Sequence, residues 1–188
     1  MRYNVLVKKI LEQIDLPPEP PALIQKINDT KLTFNDIFSL LKQHEGYRNK
    51  VYLDSLGIPT IGIGFNMTRP DARKLIQEIG GNYDSLLLGK EKLSDEQIIS
   101  LFKINVKTAY NDAKKYLPKF DSLPKNIKLA VIDMSFNLGY TRLSKFVNTK
   151  NYINRGDYYS AGKEILKSKW ALQVKNRAQS LSNLFSSS

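Results

Sequence analysis

Two carboxylates and one threonine are the side chains of this sequence best suited to chemistry. Glu45 ends a helical pattern, Asp54 follows nine positions later after a short β-like run, and Thr60 comes six positions further on. A carboxyl pair can hydrolyse a glycosidic bond when one member donates a proton and the other is ionised. Glu45 is then the candidate acid, Asp54 the ionised partner, and Thr60 a hydroxyl that helps to position water.

Each of these residues also has a purely structural interpretation. A glutamate before glycine is often a surface charge at a helix end, an aspartate near serine and glycine often forms a turn, and threonine is common in strands. A Glu/Asp pair nine positions apart is common by chance, so the spacing alone does not favour the chemical interpretation. What favours it is that the spacing, Tyr52 and the run Thr60–Gly64 together resemble the pattern of a known family. In that run, Gly62 and Gly64 are expected to let a sugar or another backbone approach closely.

The elements around these residues are expected to form a small α+β lobe. Thr33 is a good N-cap for a helix that Gly46 ends just past Glu45. Residues 51–53 and 59–65 are predicted to be strands of an antiparallel sheet, with a turn at 55–58 between them. Residues 70–79 are predicted to be helical, and the stretch up to Leu93 irregular or weakly helical.

A long helix is predicted to join this lobe to a second, helical lobe. Ser94 begins it with a near capping box, and Pro118 ends it. The helical lobe is predicted to contain four segments, near 124–138, 142–154, 158–166 and from about 176 onward. The domain spans residues 33–188, with the small lobe at 33–93, the bridging helix at 94–117 and the helical lobe at 118–188.

Residues 1–32 are predicted to be an appendage of this domain. Apolar residues at helical spacing within 3–16 indicate a helix that the proline-rich run Pro17–Pro21 ends. Its apolar face is expected to pack on the main domain, and docking to a partner is the alternative. The apolar run at the N-terminus is too short for a secretory signal, so the protein is expected to stay in the compartment where it is made.

Composition and charge restrict the class of function. The 188 residues include no cysteine and one histidine, which argues against thiol chemistry, a disulfide framework and a histidine-rich zinc site. No segment approaches a membrane span, and neither a metal nor an organic cofactor is expected. The net charge is +11, and residues 100–188, with sixteen basic and five acidic side chains, carry essentially all of it. This half suits a polyanionic partner, or is simply a lysine-rich solvated surface.

The stretch Glu45–Phe65 resembles the catalytic lobe of the phage-type lysozymes, glycoside hydrolase family 24, which includes the T-even phage endolysins. Phe136–Gly139 is similar to the family's cleft-lining segment, and Trp170 followed by Asn176–Ala178 is similar to its tryptophan and Asn-Arg-Ala segment. The resemblance covers about residues 34–184. It implies a two-lobed α+β fold, mainly α, in which a small antiparallel sheet lobe is joined by a long helix to a helical lobe.

The resemblance also implies roles for individual residues. Glu45, Asp54 and Thr60 match catalytic positions, and Arg177 matches an arginine that pairs with the catalytic glutamate. The positions that match substrate contacts in relatives are Phe136, Asn66 and Thr149.

Two further residues near the predicted site are expected to have no catalytic role. Trp170 is expected to be a core residue whose indole N–H bonds Asn137. His44 is expected to be incidental, because it lies on a different face of its helix from the catalytic side.

The sequence departs from the family at one pair. Phe65 and Asn105 stand where the T-even endolysins have a histidine and an aspartate that bind each other, so a stabilising pair is expected to be lost. Residues 66–93 match poorly, and residues 1–32 have no counterpart in the minimal family member.

The implied activity is that of a muramidase acting on bacterial peptidoglycan as a monomer, by an inverting course and without stable membrane insertion. Such an enzyme is expected to wait in the host cytoplasm for a membrane-permeabilising factor, or else to travel in a virion. A lytic transglycosylase and a non-catalytic wall-binding or virion-structural module are the alternatives. Nucleic-acid binding is not expected, since no motif for it is present.

Overall fold

The computed structural model describes residues 31–54 and 56–188. The helix, the proline-rich linker and the docking predicted for the N-terminal appendage therefore lie almost entirely outside the described residues. In the described part of the chain, the elements in order are α1 (Phe34–Glu45), β1 (Arg48–Leu53), β2 (Pro59–Gly62), β3 (Phe65–Asn66), α2 (Ala72–Glu78), α3 (Tyr83–Leu87), α4 (Asp95–Tyr116), a 3-10 turn (Phe120–Ser122), α5 (Lys125–Leu143), α6 (Val147–Asn154), α7 (Tyr158–Leu166), α8 (Lys169–Val174) and α9 (Asn176–Ser186).

The small lobe is an antiparallel sheet beside α1, as the sequence predicts. The strand order is β1-β2-β3, and Tyr52 of β1 lies opposite Thr60 of β2. The prediction of one continuous strand over 59–65 is wrong, because the chain turns back at Gly64, whose φ is 65°. The glycine-rich run is therefore a hairpin, and its second strand begins at Phe65.

Helix α4 has the predicted capping box, in which the Ser94 hydroxyl accepts from the Gln97 N–H and the Gln97 side chain accepts from the Ser94 N–H. It packs along α5, which bends sharply at Gly139, where φ is 65° and ψ is 165°. The helix predicted near 142–154 begins only at Val147, after a turn. Helix α8 is an element that the sequence analysis did not predict.

Aromatic side chains join the two lobes into one core. Phe38 of α1 meets Phe102 of α4 edge to face, with 5.4 Å between ring centroids, and Phe102 lies 5.9 Å from Phe136 of α5. The architecture is thus α+β and mainly α, with a small sheet lobe, a long helix and a helical lobe. Among the helices within residues 31–54 and 56–188, none has the length and apolar character needed to cross a bilayer.

An ion pair fixes the start of α1 to the start of α5. Asp36 takes part in the capping box at Thr33, and Lys125 Nζ lies 2.9 Å from Asp36 Oδ1. Partial burial raises the pKa of Asp36, but the bonds from Lys125 and Thr33 outweigh it and leave that pKa below its ordinary value. A carboxylate with a lowered pKa contributes stability above its unfolded-state pKa, and the contribution is lost as pH falls through the folded-state pKa.

We expect Lys125→Met to lower the free energy of unfolding by about 1 kcal/mol at pH 7, because the pair is partly buried. The difference from wild type should shrink as the pH falls through the pKa of Asp36. Urea unfolding at pH 7 and at low pH measures this. Lys74→Met is the control, since the contact of Lys74 with Glu78, at 3.7 Å, is exposed. An equal cost for the two variants at pH 7 would contradict the prediction.

Candidate active site

Glu45 lies where helix α1 ends, against the turn of the glycine hairpin. Its side chain is 17% exposed. A Cβ placed on Gly64 would lie 2.8 Å from Glu45 Oε2 and 3.0 Å from its Cδ, closer than real Cβ atoms approach other groups. Gly64 thus serves both the turn and the glutamate: its positive φ makes the turn, and its missing side chain makes room for the carboxyl group. A close approach at Gly64 is therefore present, as expected, but the group that approaches is a side chain of the same protein and not a sugar or another backbone.

Arg177 of α9 reaches Glu45 from the helical lobe. Its Nη1 donates to Glu45 Oε1 at 2.5 Å, and its Nε donates to Asp133 Oδ1 at 2.7 Å. The arginine side chain is 7% exposed and that of Asp133 is fully buried. Burial opposes the charge of the guanidinium, yet the carboxylates of Asp133 and Glu45 raise the pKa of Arg177 above its ordinary value, so it stays charged. The pairing that the resemblance implies for Arg177 is present.

His44 contacts this cluster, so the expectation that it is incidental is wrong. Its Nδ1 donates to Asp133 Oδ2 at 2.7 Å, and its side chain is largely buried. His44 does point away from Glu45 on the helix, but α5 packs against that face and presents Asp133 there. Helix periodicity within one element did not reveal this contact, because the partner lies 89 residues further along the chain.

Asp54 follows β1 and is held by the turn that leads into β2. Its Oδ1 accepts the backbone N–H groups of Leu56, at 2.8 Å, and Ile58, at 2.9 Å. The Asp54 N–H donates in turn to the Ile58 carbonyl. Thr60 is almost fully buried, and its hydroxyl donates to the same carbonyl at 3.0 Å. The turn therefore fixes one carboxylate oxygen, and Thr60 supports the residue that fixes it.

Tyr52 lies between the two carboxyl residues in the sequence and contacts the first of them in space. Its hydroxyl donates to the Glu45 carbonyl oxygen over a long 3.4 Å, and the Arg48 guanidinium lies 4.8 Å from its ring centroid. Burial, with the nearby charge of Glu45, raises the pKa of Tyr52. The tyrosine therefore stays a neutral donor, and it ties β1 to the end of α1.

The three predicted substrate contacts lie in different environments. Phe136 is half-buried and packs on Phe102, and Asn66 is half-buried with its Oδ1 accepting from the backbone and hydroxyl of Thr68. Thr149 is 1% exposed, and its hydroxyl has no partner within the described ranges. All three roles stay predictions, and the burial of Thr149 argues against direct contact with a ligand in this conformation.

The expectation for Trp170 is confirmed. The indole is 7% exposed, and its Nε1–H donates to Asn137 Oδ1 at 2.8 Å. Phe146 packs edge to face on the ring. Trp170 therefore belongs to the core of the helical lobe and holds the part of α5 just before its bend.

Arg69 contacts both Phe65 and Asn105, the residues that replace the histidine–aspartate pair of the family. Arg69 Nη1 donates to Asn105 Oδ1 at 2.8 Å, its other nitrogens bind Asp71, and its guanidinium lies 5.4 Å from the Phe65 ring centroid. The histidine–aspartate pair of the family is absent, as expected, but different residues join β3 to α4 here. Sequence reasoning missed Arg69, since its partners lie on both sides of it in the chain.

Asp133 is the other site residue that sequence reasoning missed, although the sequence held a signal. It is one charged residue inside an otherwise apolar stretch of α5, Leu129–Met134, and a buried charge there needs a partner. Within the described ranges, no group of three or more histidine, cysteine or acidic side chains is arranged to hold a metal ion.

Comparisons with known proteins show which sequences are similar to this chain. The chain is 28% identical over 154 residues to the probable T4-type lysozyme 2 of Dictyostelium discoideum, covering 78% of this chain and 91% of that protein. It is 27% identical to the probable T4-type lysozyme 1 of the same organism, covering 77% and 89% of the two chains. It is also 29% identical to the pre-baseplate central spike protein Gp5 of Enterobacteria phage T4, covering 74% of this chain but only 25% of that longer protein. Residues 42–184, which include every candidate catalytic residue, match the phage lysozyme family. The chain therefore belongs to the phage lysozyme family.

Proposed function

We propose that the protein is a muramidase that hydrolyses the β-1,4 bond between N-acetylmuramic acid and N-acetylglucosamine in peptidoglycan. The observation that carries this proposal is the placement of Glu45, a largely buried carboxyl group that Arg177 holds at the junction of the two lobes. Family membership and the printed names of the two Dictyostelium relatives support it.

Each residue of the first lobe has a role in this proposal. Glu45 donates a proton to the leaving oxygen, while Asp54 acts as the base or as the electrostatic partner of the developing positive charge. Because the described part of the turn binds Oδ1 of Asp54, we assign the action toward water to Oδ2. The Thr60 hydroxyl proton is already donated to Ile58, so Thr60 assists water only by accepting a hydrogen bond. We propose an inverting course, in which water attacks from the Asp54 side.

Product analysis tests the reaction class. Purified peptidoglycan is incubated with the wild-type protein, and the released fragments are identified by mass spectrometry. Muropeptides with reducing ends support hydrolysis, and 1,6-anhydro ends assign the protein to the lytic transglycosylases. If folded protein pellets with peptidoglycan but releases no fragments, the result supports a binding module instead. Asp54→Asn sharpens the test, since it should abolish hydrolysis but spare a transglycosylase, which needs only the glutamate.

We further propose that the enzyme is an endolysin that lyses the host wall from the cytoplasm, after another factor has permeabilised the membrane. The similarity to a central spike protein supports a second candidate, a virion-associated enzyme that opens the wall during entry. Mass spectrometry of purified virions and of infected-cell lysate separates the two. Abundant protein in the lysate and none in virions supports the endolysin.

Gly64→Ala tests the close contact between the hairpin and Glu45. The positive φ costs about 1–2 kcal/mol for any residue with a Cβ, and the added Cβ also pushes Glu45 away from its position. We expect the rate of peptidoglycan solubilisation to fall roughly 10- to 100-fold, as misplaced catalytic groups do. Gly89→Ala is the matched control, because Gly89 has a φ of 69° and open space around its Cβ position. It should lose similar stability but keep its activity. Equal activities would disprove the contact's importance.

A further inference from the structure

A continuous chain of hydrogen bonds links His44 to Glu45 by way of two other helices. His44 Nδ1 donates to Asp133 Oδ2, Arg177 Nε donates to Asp133 Oδ1, and Arg177 Nη1 donates to Glu45 Oε1, at 2.7, 2.7 and 2.5 Å. His44 and Glu45 are neighbours in α1, so the chain leaves that helix and returns to the next residue. The loop closes around the end of α1.

The arrangement fixes Asp133 from both sides. One carboxylate oxygen receives the arginine and the other receives the histidine, while the second terminal nitrogen of Arg177 makes a long bond to the Asp133 carbonyl. Because the Asp133 side chain is fully buried, water does not replace a missing donor. The orientation of the guanidinium that holds Glu45 therefore depends on His44 as well as on Asp133.

We propose that His44 is a positioning residue for catalysis, acting through Asp133 and Arg177 to hold Glu45 in place. This inference rests on the proposed function, in which Glu45 is the proton donor. A role through two intermediate side chains differs from a merely structural one in a measurable way. It changes the turnover of folded enzyme, whereas a structural contact changes only the amount of enzyme that is folded.

The hydrogen bonds of this loop couple His44 to Glu45. The groups that face the loop are Arg177 and Asp133 from the helical lobe, and Tyr52, with Arg48 over its ring, from β1. A change at one end of the loop is therefore expected to alter the other end, and such coupling is reciprocal.

The first test needs no enzymatic activity. His44 is the only histidine of the chain, so its ring signals in an NMR spectrum of the whole protein need no assignment. Glu45→Gln should shift the ring signals of His44, because the change reaches His44 through the hydrogen bonds of Arg177 and Asp133. Glu78→Gln, a change at an exposed glutamate on α2, should leave these signals unchanged. Unchanged His44 signals in Glu45→Gln would overturn the coupling.

The second test measures turnover on soluble glycan strands at a temperature where all variants are folded. His44→Phe removes the donor to Asp133, and we expect kcat to fall roughly tenfold with little change in KM, since positioning rather than binding is lost. His44→Asn places its amide N–H close to the position of the imidazole Nδ1 and should recover most of kcat.

The outcomes separate this inference from the proposed function. If wild type does not cleave glycan, the muramidase proposal fails and the NMR comparison alone decides whether His44 and Glu45 are coupled. If wild type cleaves and His44→Phe keeps its full kcat, the positioning role fails while the muramidase proposal stands. A fall in kcat that His44→Asn restores, together with shifted His44 ring signals in Glu45→Gln, supports the inference.

Discussion

Replacing Glu45 by glutamine is expected to reduce the rate of muropeptide release about 10²- to 10⁴-fold, the range that general acid catalysis contributes. Glutamine has nearly the same shape, and its amide oxygen can still accept the hydrogen bond from Arg177. Arg177 also keeps Asp133 as a charged partner, so the fold should survive the change. The loss is then chemical, since an amide is too weak an acid to transfer a proton to the leaving oxygen.

The measurement is a comparison of released muropeptides over time for wild type and variant at equal concentrations of folded protein. Glu78→Gln makes the same chemical change at an exposed site and is expected to keep the wild-type rate. Circular dichroism and the melting temperature establish that both variants are folded. A Glu45→Gln variant that retains more than about a tenth of the wild-type rate would remove Glu45 from the centre of the reaction.

Arg177→Met is expected to have the largest effect on stability. Removing one partner of a buried ion pair typically costs about 3–5 kcal/mol, because the remaining charge has no compensation. Here the fully buried Asp133 carboxylate would keep only His44 as a donor, and Glu45 would lose the group that holds it. Activity should therefore fall together with stability. Urea unfolding at pH 7 gives the free energy, and muropeptide release gives the activity.

Two further variants make this result interpretable. Arg73→Met removes an arginine that also binds an aspartate, Asp84, but on the surface, where the two side chains are 53% and 65% exposed. Its cost should be far smaller, because an exposed ion pair contributes little to stability. The double variant Arg177→Met, Asp133→Asn removes both buried charges and should regain part of the stability. If Arg177→Met and Arg73→Met cost the same, the buried cluster does not stabilise the fold as proposed.

Much of the fold was predictable because its signals are local. The caps at Thr33 and Ser94 define where α1 and α4 begin, and both capping boxes are present. The hairpin at Gly64 was misread as one strand because glycine tolerates both extended and reversed backbone. Helix α8 was missed because it is short, and the late start of α6 follows from a turn that apolar spacing does not mark.

In the candidate site, too, the local contacts were predictable from the sequence and the long-range contacts were not. Asp54 is held by residues within four positions of it, so its turn follows from local sequence. Glu45 is held by Arg177, 132 positions away, and that pairing came from resemblance rather than from periodicity. The link from His44 to Asp133 was not predicted at all, since each residue taken alone has an ordinary structural explanation.

The sequence by itself determined most of the elements and their order, the positions of the carboxyl pair and its threonine, and the absence of cysteine. Local propensity, capping and residue type are properties of short segments, and they are readable one segment at a time. Only the tertiary structure decided which charges share the buried space between the lobes. Burial makes an unpaired charge costly, so the packing of α1, α5 and α9 selects the partners that the chain itself does not place side by side.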